Sequence, residues 1–275
     1  MIDTHSHILP GLDDGAKTMT EALDIVRQLQ GAGFKTLIAT PHVMEGRIFL
    51  SPQEILTAIE EVRQHVARAG ISVEILPGAE NYIFPDMAKW ACEGKLQTLG
   101  NTGKYLMVEL PMLEIPRYTE QVFFELQVKG FIPILAHPER YRDLVDEPER
   151  LLDWARKGIL FQLDLRSISG KYGPRPRRLA ELMLHSDLIH FIGSDAHSMA
   201  RSELAYQEAL ESVKGIVGET QFQELVVGNA LEVLEGRSLK SDQEYFFKEA
   251  VTETERSGFW GRIGRASMKK SFLIR

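Results

Sequence analysis

Seven short apolar runs, each followed by a stretch of different periodicity, constrain this chain more than any other feature. The runs are MIDTHSH at the start, KTLIAT (35–40), SVEILPG (72–78), KYLMVEL (104–110), FIPILAH (131–137), GILFQLDL (158–165) and LIHFIGSD (188–195). Near-continuous apolar runs of this length predict strands covered on both faces, as in a parallel sheet whose crossovers are helices. The segments between them carry helix punctuation. In TMTEALDIVRQLQGAG, Thr18 stands three residues before Glu21 in capping-box spacing, and Ala22, Ile25, Val26 and Leu29 share one face. SPQEILTAIEEVRQHVARAG repeats the pattern, with Ser51 as cap, Pro52 at the first helical position, Glu54 three after the cap and Gly70 as the stop. Seven β/α units without a low-complexity break predict one α/β domain over residues 1–239. That domain is a closed or nearly closed barrel, with a doubly wound open sheet as the alternative. The rhythm is lost after Leu239, which sets residues 240–275 apart as an extension.

Charge separates the same two parts. From Arg256 onward there are six basic residues (Arg256, Arg262, Arg265, Lys269, Lys270, Arg275) and no acidic one, mixed with Trp260, Ile263, Phe272 and Leu273. The preceding residues carry 26 basic against 39 acidic side chains, a formal −13. A body that acidic repels a phosphate backbone, so no nucleic-acid partner is expected, but it can hold divalent cations. The tail reads either as a solvated extension or as a docking segment (256–275) for an acidic partner or an anionic membrane surface. No run of 18 apolar residues predicts a membrane span. Polar Asp3, His5 and His7 so near the start do not fit a signal peptide. Cys92 is the sole cysteine. Together these make the cytoplasm the expected compartment.

Metal-ligand side chains recur at the C-terminal ends of the predicted strands. The first gives His5, His7 and Asp14; the second, His42; the third, Glu80; the fourth, Glu109; the fifth, His137 with Arg140; the seventh, Asp195 and His197. The sixth gives Asp164 and Arg166 and no evident ligand. In a β/α barrel the loops after the strands converge on one face, and functional groups come from several strand ends. Nine nitrogen and oxygen ligands without sulfur exceed the needs of one ion, so a multinuclear site is implied, of a kind that suits Mn²⁺, Fe²⁺ or Zn²⁺. His65, His185 and His190 fall off the pattern and read as structural. Cys92 lacks an arginine six residues on, where Thr98 stands, so it too reads as structural rather than nucleophilic.

The motifs H-x-H, T-P-H, G-x-E, A-H-P-E-R and S-D-x-H, in this order from Met1 to about Leu239, resemble the polymerase-and-histidinol-phosphatase (PHP) family. DTHSHILPGLDDG, AHPERY and GSDAH are most similar to its branch of bacterial capsule and exopolysaccharide protein-tyrosine phosphatases. The resemblance implies a distorted (β/α)7, TIM-like barrel with a trinuclear site, Mn²⁺ being the expected metal. It places His5, His7, Glu80 and Asp195 on one ion. Bridging Glu80, with Glu109 and His137, takes the second, and Asp14, His42 and His197 the third. Asp13 would stand behind the ligands, and Arg140 and Arg201 would hold phosphate oxygens. It further implies attack by a metal-bridging hydroxide on phosphotyrosine in the C-terminal cluster of an autophosphorylating tyrosine kinase. The rival readings are a small phosphomonoester such as histidinol phosphate, a nucleic acid, and a non-catalytic protein acting through its tail.

Overall fold

The computed structural model describes residues 1–199, 204–239 and 247. Arg201 and the basic tail over 256–275 lie outside them. Among the described residues nine strand segments, all paired in parallel, form two sheets. One contains β1 (Ile2–Ser6), β2 (Thr36–Ala39) and β4 (Glu74–Pro77). The other runs in the order β3 (His42–Val43), β5 (Glu80–Tyr82), β6 (Tyr105–Glu109), β7 (Ile132–Ala136), β8 (Leu160–Asp164) and β9 (Phe191–Gly193).

Seven of these segments fall within the seven predicted runs; β3 and β5 lie just beyond the second and third, after breaks at Thr40–Pro41, where proline offers no N–H to a ladder, and at Gly78–Ala79. At Gly78 an added Cβ would stand 2.8 Å from both Ile38 Cγ2 and Leu99 Cδ2, so only glycine lets the chain bend there. The breaks curl the sheet. At its seam Thr40 N donates to Ser6 O at 2.8 Å and Glu80 N to Pro41 O at 3.1 Å. On the opposite side Ser6 bridges Ala196, Asp195 N donates to His5 O at 2.8 Å and His7 N to Ala196 O at 3.0 Å. The last strand thus returns beside the first, and the architecture is a distorted, TIM-like β/α barrel rather than an open doubly wound sheet.

Strand periodicity explains how this barrel sorts its residues. Side chains two apart share a face. Tyr105, Met107 and Glu109 therefore line one side of β6, Leu160, Gln162 and Asp164 one side of β8, and Phe191, Gly193 and Asp195 continue the series at β9. Ile2, Ile38, Tyr105, Met107, Ile134, Leu160 and Phe191 pack into an inner apolar layer, closed at one end by Ala230 and Val233 of the helix Asn229–Leu234. Alternate residues such as Leu106, Val108, Leu135, Phe161, Leu163 and Ile192 face outward and join the larger core with the helices. Apart from Gln162 in the middle of β8, the polar members of these rows stand at the strands' C-terminal ends.

The helices follow their punctuation. Ser51 and Glu54 complete a reciprocal capping box on Pro52–Arg68, whose Ile55, Ile59, Val62 and Val66 are buried. For Met19–Gly31 only half the box forms: Thr18 Oγ1 accepts from Glu21 N, while the Glu21 carboxylate takes Lys17 N. Cys92 ends the helix Met87–Cys92 and is exposed, so it plays no part in the core. His190 is half-buried, and its Nδ1 accepts from Phe161 N at 3.1 Å. His65 sits on the surface of its helix with Nδ1 against Glu61 O, and His185 closes Pro174–His185. No helix among the described residues is long and apolar enough to cross a membrane.

Candidate metal centre

All nine side chains expected at the strand ends converge on one end of the barrel. His5 Nε2 lies 3.0 Å from His7 Nε2 and 3.2 Å from Glu80 Oε2. His7 Nε2 is 3.3 Å from both Glu80 Oε2 and Asp195 Oδ1. His42 spans the site, with Nδ1 3.0 Å from Glu80 Oε2 and Nε2 3.3 Å from Asp14 Oδ1. His197 Nε2 is 3.2 Å from Asp14 Oδ1 and its Nδ1 3.2 Å from Asp195 Oδ1. His137 Nε2 bonds Glu80 Oε1 at 2.8 Å. Apart from Asp14, whose side chain is 69% exposed, the set is buried or nearly so.

Three subsets bring ligand atoms within 4.8 Å of one another: His5, His7 and Glu80; His42, Glu80 and Glu109; and His7, Asp14, His42 and His197. Their membership differs from the implied grouping: Asp195 is absent from the first, His42 stands in the second where His137 was expected, and His7 joins the third. His42 joins Glu80 and Glu109, its Nδ1 lying 3.4 Å from Glu109 Oε2. His137 instead meets the other Glu80 oxygen and stands 3.9 Å from Glu109 Oε1. His7 approaches two subsets because its ring stacks on His197 with centroids 3.9 Å apart.

The residues present fit divalent cations. Glu80 Oε2, Asp195 Oδ1, His42 Nδ1 and His137 Nδ1 are buried with no hydrogen-bond partner, and an orphaned buried polar atom is costly. Three carboxylates, Glu80, Glu109 and Asp195, in a nearly dry pocket also require positive charge. Burial pushes the imidazoles of His5, His7 and His42 toward neutrality, yet the surrounding carboxylates override it and raise all three. Burial likewise opposes ionisation of Glu80 and Asp195, and the adjacent His5 and its neighbours hold both well below the usual carboxylate range. A cluster that binds protons this firmly offers the same lone pairs to metal ions, whose binding displaces those protons.

Groups behind the ligands fix which ring nitrogen faces inward. Asp13 Oδ2 accepts from His7 Nδ1 at 2.8 Å, which leaves the His7 Nε2 lone pair facing the centre. Gln162 Oε1 does the same for His5 Nδ1 at 2.8 Å, its amide nitrogen being committed to Leu163 O. Asp195 O receives His197 Nδ1 at 3.0 Å. Asp13, beside Asp14 in sequence, could be anticipated; Gln162, in mid-strand, could not. Two of the candidate ligands also hold left-handed backbone, His137 at φ 34° and Asp195 at φ 46°, a conformation that concentrates at functional sites.

Beside this cluster Arg140 Nη1 donates to Asp195 Oδ2 at 2.6 Å, and Arg166 Nη2 donates to the same oxygen. Arg166 was unassigned by sequence because only the fold carries the end of β8 next to Asp195. Of the expected site residues, Arg201 alone lies outside those described.

A model of capsular polysaccharide synthesis proteins, CpsB/CapC, matches residues 1–235. The chain is 35% identical over 210 residues to the tyrosine-protein phosphatase YwqE of Bacillus subtilis, covering 76% of this chain and 82% of that one. It is 28% identical over 241 residues to the tyrosine-protein phosphatase CpsB of Streptococcus agalactiae serotype III, covering 85% and 98%. A crystal structure from work on YwqE of B. subtilis and CpsB of Streptococcus pneumoniae, described as unique metal-dependent tyrosine phosphatases, superposes with a TM-score of 0.84 at 32% identity over 91% of this chain and all of that one. With a barrel and a ligand constellation already in place, matches of this extent make the chain a member of the CpsB/CapC family of capsular polysaccharide synthesis.

Proposed function

We propose that this protein is a metal-dependent phosphatase that hydrolyses phosphotyrosine on a bacterial tyrosine kinase governing capsular or exopolysaccharide synthesis. The observation that carries this reading is the convergence of five histidines and four carboxylates, several of their atoms buried and unpartnered, beside two arginines. The relatives described as tyrosine phosphatases support it.

Three divalent ions, Mn²⁺ foremost, complete the site. His5, His7, Glu80 and Asp195 would hold the first, Glu80, Glu109 and His137 the second, and Asp14, His42 and His197 the third. When bound, the ions supply Lewis acidity and a nucleophile at neutral pH. The chain's own part is positional. With three doubly charged ions against its four carboxylates the centre would carry net positive charge and would attract a phosphomonoester dianion. Arg140, and by the family resemblance Arg201, would donate to the non-bridging oxygens as charge builds on them. Asp13, Gln162 and the Asp195 carbonyl keep the imidazoles facing inward throughout. A phenolate leaves readily, so the chain needs no strong acid at the ester oxygen. The cytoplasm suits a chain with one unpaired cysteine.

The test is phosphate release from a phosphotyrosine peptide by chelator-stripped protein and by protein refilled with Mn²⁺. Release that appears only on refilling, and is lost in Glu80→Ala and His42→Ala variants that stay folded, is the expected result. Full activity in both variants would end the assignment of the site. Silence of the metal-loaded protein on the peptide, with turnover of a small phosphomonoester, would end the phosphotyrosine reading.

A further inference from the structure

Arg140 and Arg166 arrive from the ends of different strands, yet their guanidiniums meet at one carboxylate oxygen. Arg140 follows β7 in the HPER turn, and Arg166 follows β8. The Arg166 turn is pinned by Asp164, whose Oδ1 accepts from Arg166 N at 2.8 Å while its two oxygens take Nε and Nη2. Asp195 is divided between two environments: Oδ1 faces the histidines and Oδ2 faces the arginines. Tyr172 covers the pair, its ring centroid 4.4 Å from Arg140 Cζ and 5.6 Å from Arg166 Cζ. Lys171 Nζ lies 5.6 Å from the same ring.

The charge balance here is uneven. Three cations share two carboxylates, and one of these, Asp195, points its second oxygen at the candidate ligand cluster. The donors are also incompletely used. Arg140 Nη1 serves Asp195, and Arg166 Nε and Nη2 serve Asp164 and Asp195. The remaining guanidinium N–H groups have no hydrogen-bond partner among the described residues. Both side chains retain some solvent access, 20% for Arg140 and 14% for Arg166, so they border the site's opening rather than the core.

We propose that Arg166 is a substrate-binding residue that forms, with Arg140, a two-arginine clamp on the phosphoryl group, held in place by Asp164 and capped by Tyr172. The inference rests on the phosphatase reading for its substrate, a phosphomonoester. Two guanidiniums at one carboxylate oxygen offer several N–H groups to neighbouring phosphoryl oxygens, a planar geometry that lysine cannot reproduce.

The test uses the Mn²⁺-loaded full chain and inorganic phosphate as probe. Binding is followed by calorimetry, with metal content determined on every sample. Arg166→Lys keeps a cation beside Asp195 but loses the fork, and Arg166→Met loses both. Each is expected to weaken phosphate binding and raise KM for a phosphotyrosine peptide by about tenfold to a hundredfold, with Arg166→Lys the milder. Tyr172→Leu is expected to weaken phosphate binding by a few-fold. The proposal is overturned if phosphate affinity and KM stay within about twofold of the parent in both Arg166 variants. It is also overturned if every loss vanishes at saturating Mn²⁺, for Arg166 would then act only through Asp195. Loss of phosphate binding in a protein that turns over no phosphomonoester would uphold the clamp while refuting the phosphatase.

Discussion

Asp13 is the most informative single position to perturb, because it holds the centre together without being one of its nine candidate ligands. Its Oδ2 accepts from His7 Nδ1 at 2.8 Å and from His42 N at 3.0 Å, and its Oδ1 accepts from Gly15 N at 2.8 Å. One carboxylate thereby fixes the tautomer of one ligand, the backbone of a second and the turn that carries Asp14. Burial opposes its ionisation, but His7 together with the Gly15 and His42 N–H groups outweighs it and holds Asp13 below its usual value. Asp13→Asn is nearly isosteric yet presents an NH2 to one of these donors, so at least one bond must be lost. Partners behind a ligand are worth about tenfold to a hundredfold in metal affinity, or roughly 1.4–2.7 kcal/mol. Titration of Mn²⁺ against a chromogenic chelator should therefore give a dissociation constant raised by that factor. At saturating Mn²⁺, kcat should stay within a few-fold of the parent, since no ligand has been removed. Unchanged metal affinity in Asp13→Asn would refute the argument that Asp13 sets the His7 tautomer.

Two further outcomes follow from packing and titration. A Cβ at Gly193 would lie 2.4 Å from Gln162 Nε2 and 2.5 Å from His5 Cβ, so Gly193→Ala must push apart a ligand and the residue orienting it. It should cost about 1–3 kcal/mol in unfolding free energy together with bound metal; a variant with the parent's melting temperature and metal content would contradict this. Burial pushes the His190 imidazole down to about 4, from 6.5 in the unfolded chain. The unfolded state therefore binds a proton that the native state refuses, and stability falls as pH drops from about 6.5 to about 4. By linkage the effect is worth roughly 3 kcal/mol. Urea titrations should show the native protein losing more stability than His190→Asn across that window, and parallel pH profiles would dismiss the neutral imidazole.

The sequence by itself determined the strand-and-helix rhythm and the candidate ligand set, because both are written in local pattern. Period-two rows such as Tyr105, Met107 and Glu109 carry their phase in the chain, and a parallel barrel places every strand's C-terminal end on the same face. That logic brings His5, Glu80, Glu109 and Asp195 together without knowledge of any distance. Even the breaks at Pro41 and Gly78 have a visible signal, although its consequence, the curling of the sheet, does not. What the tertiary structure decided are contacts between strand ends whose partners have no fixed spacing. Gln162 looks like any polar residue in a buried strand until β8 lies beside β9 and β1 and brings its amide to His5. Arg166 looks like a solvated cation until the curl of the sheet carries it to Asp195 beside Arg140. His42 changes subset because the angle of its ring, and not its position in the chain, decides which carboxylate each nitrogen meets. Local pattern specifies which face a side chain takes; which neighbour it meets there depends on strand tilt and register, quantities that exist only once the barrel has closed.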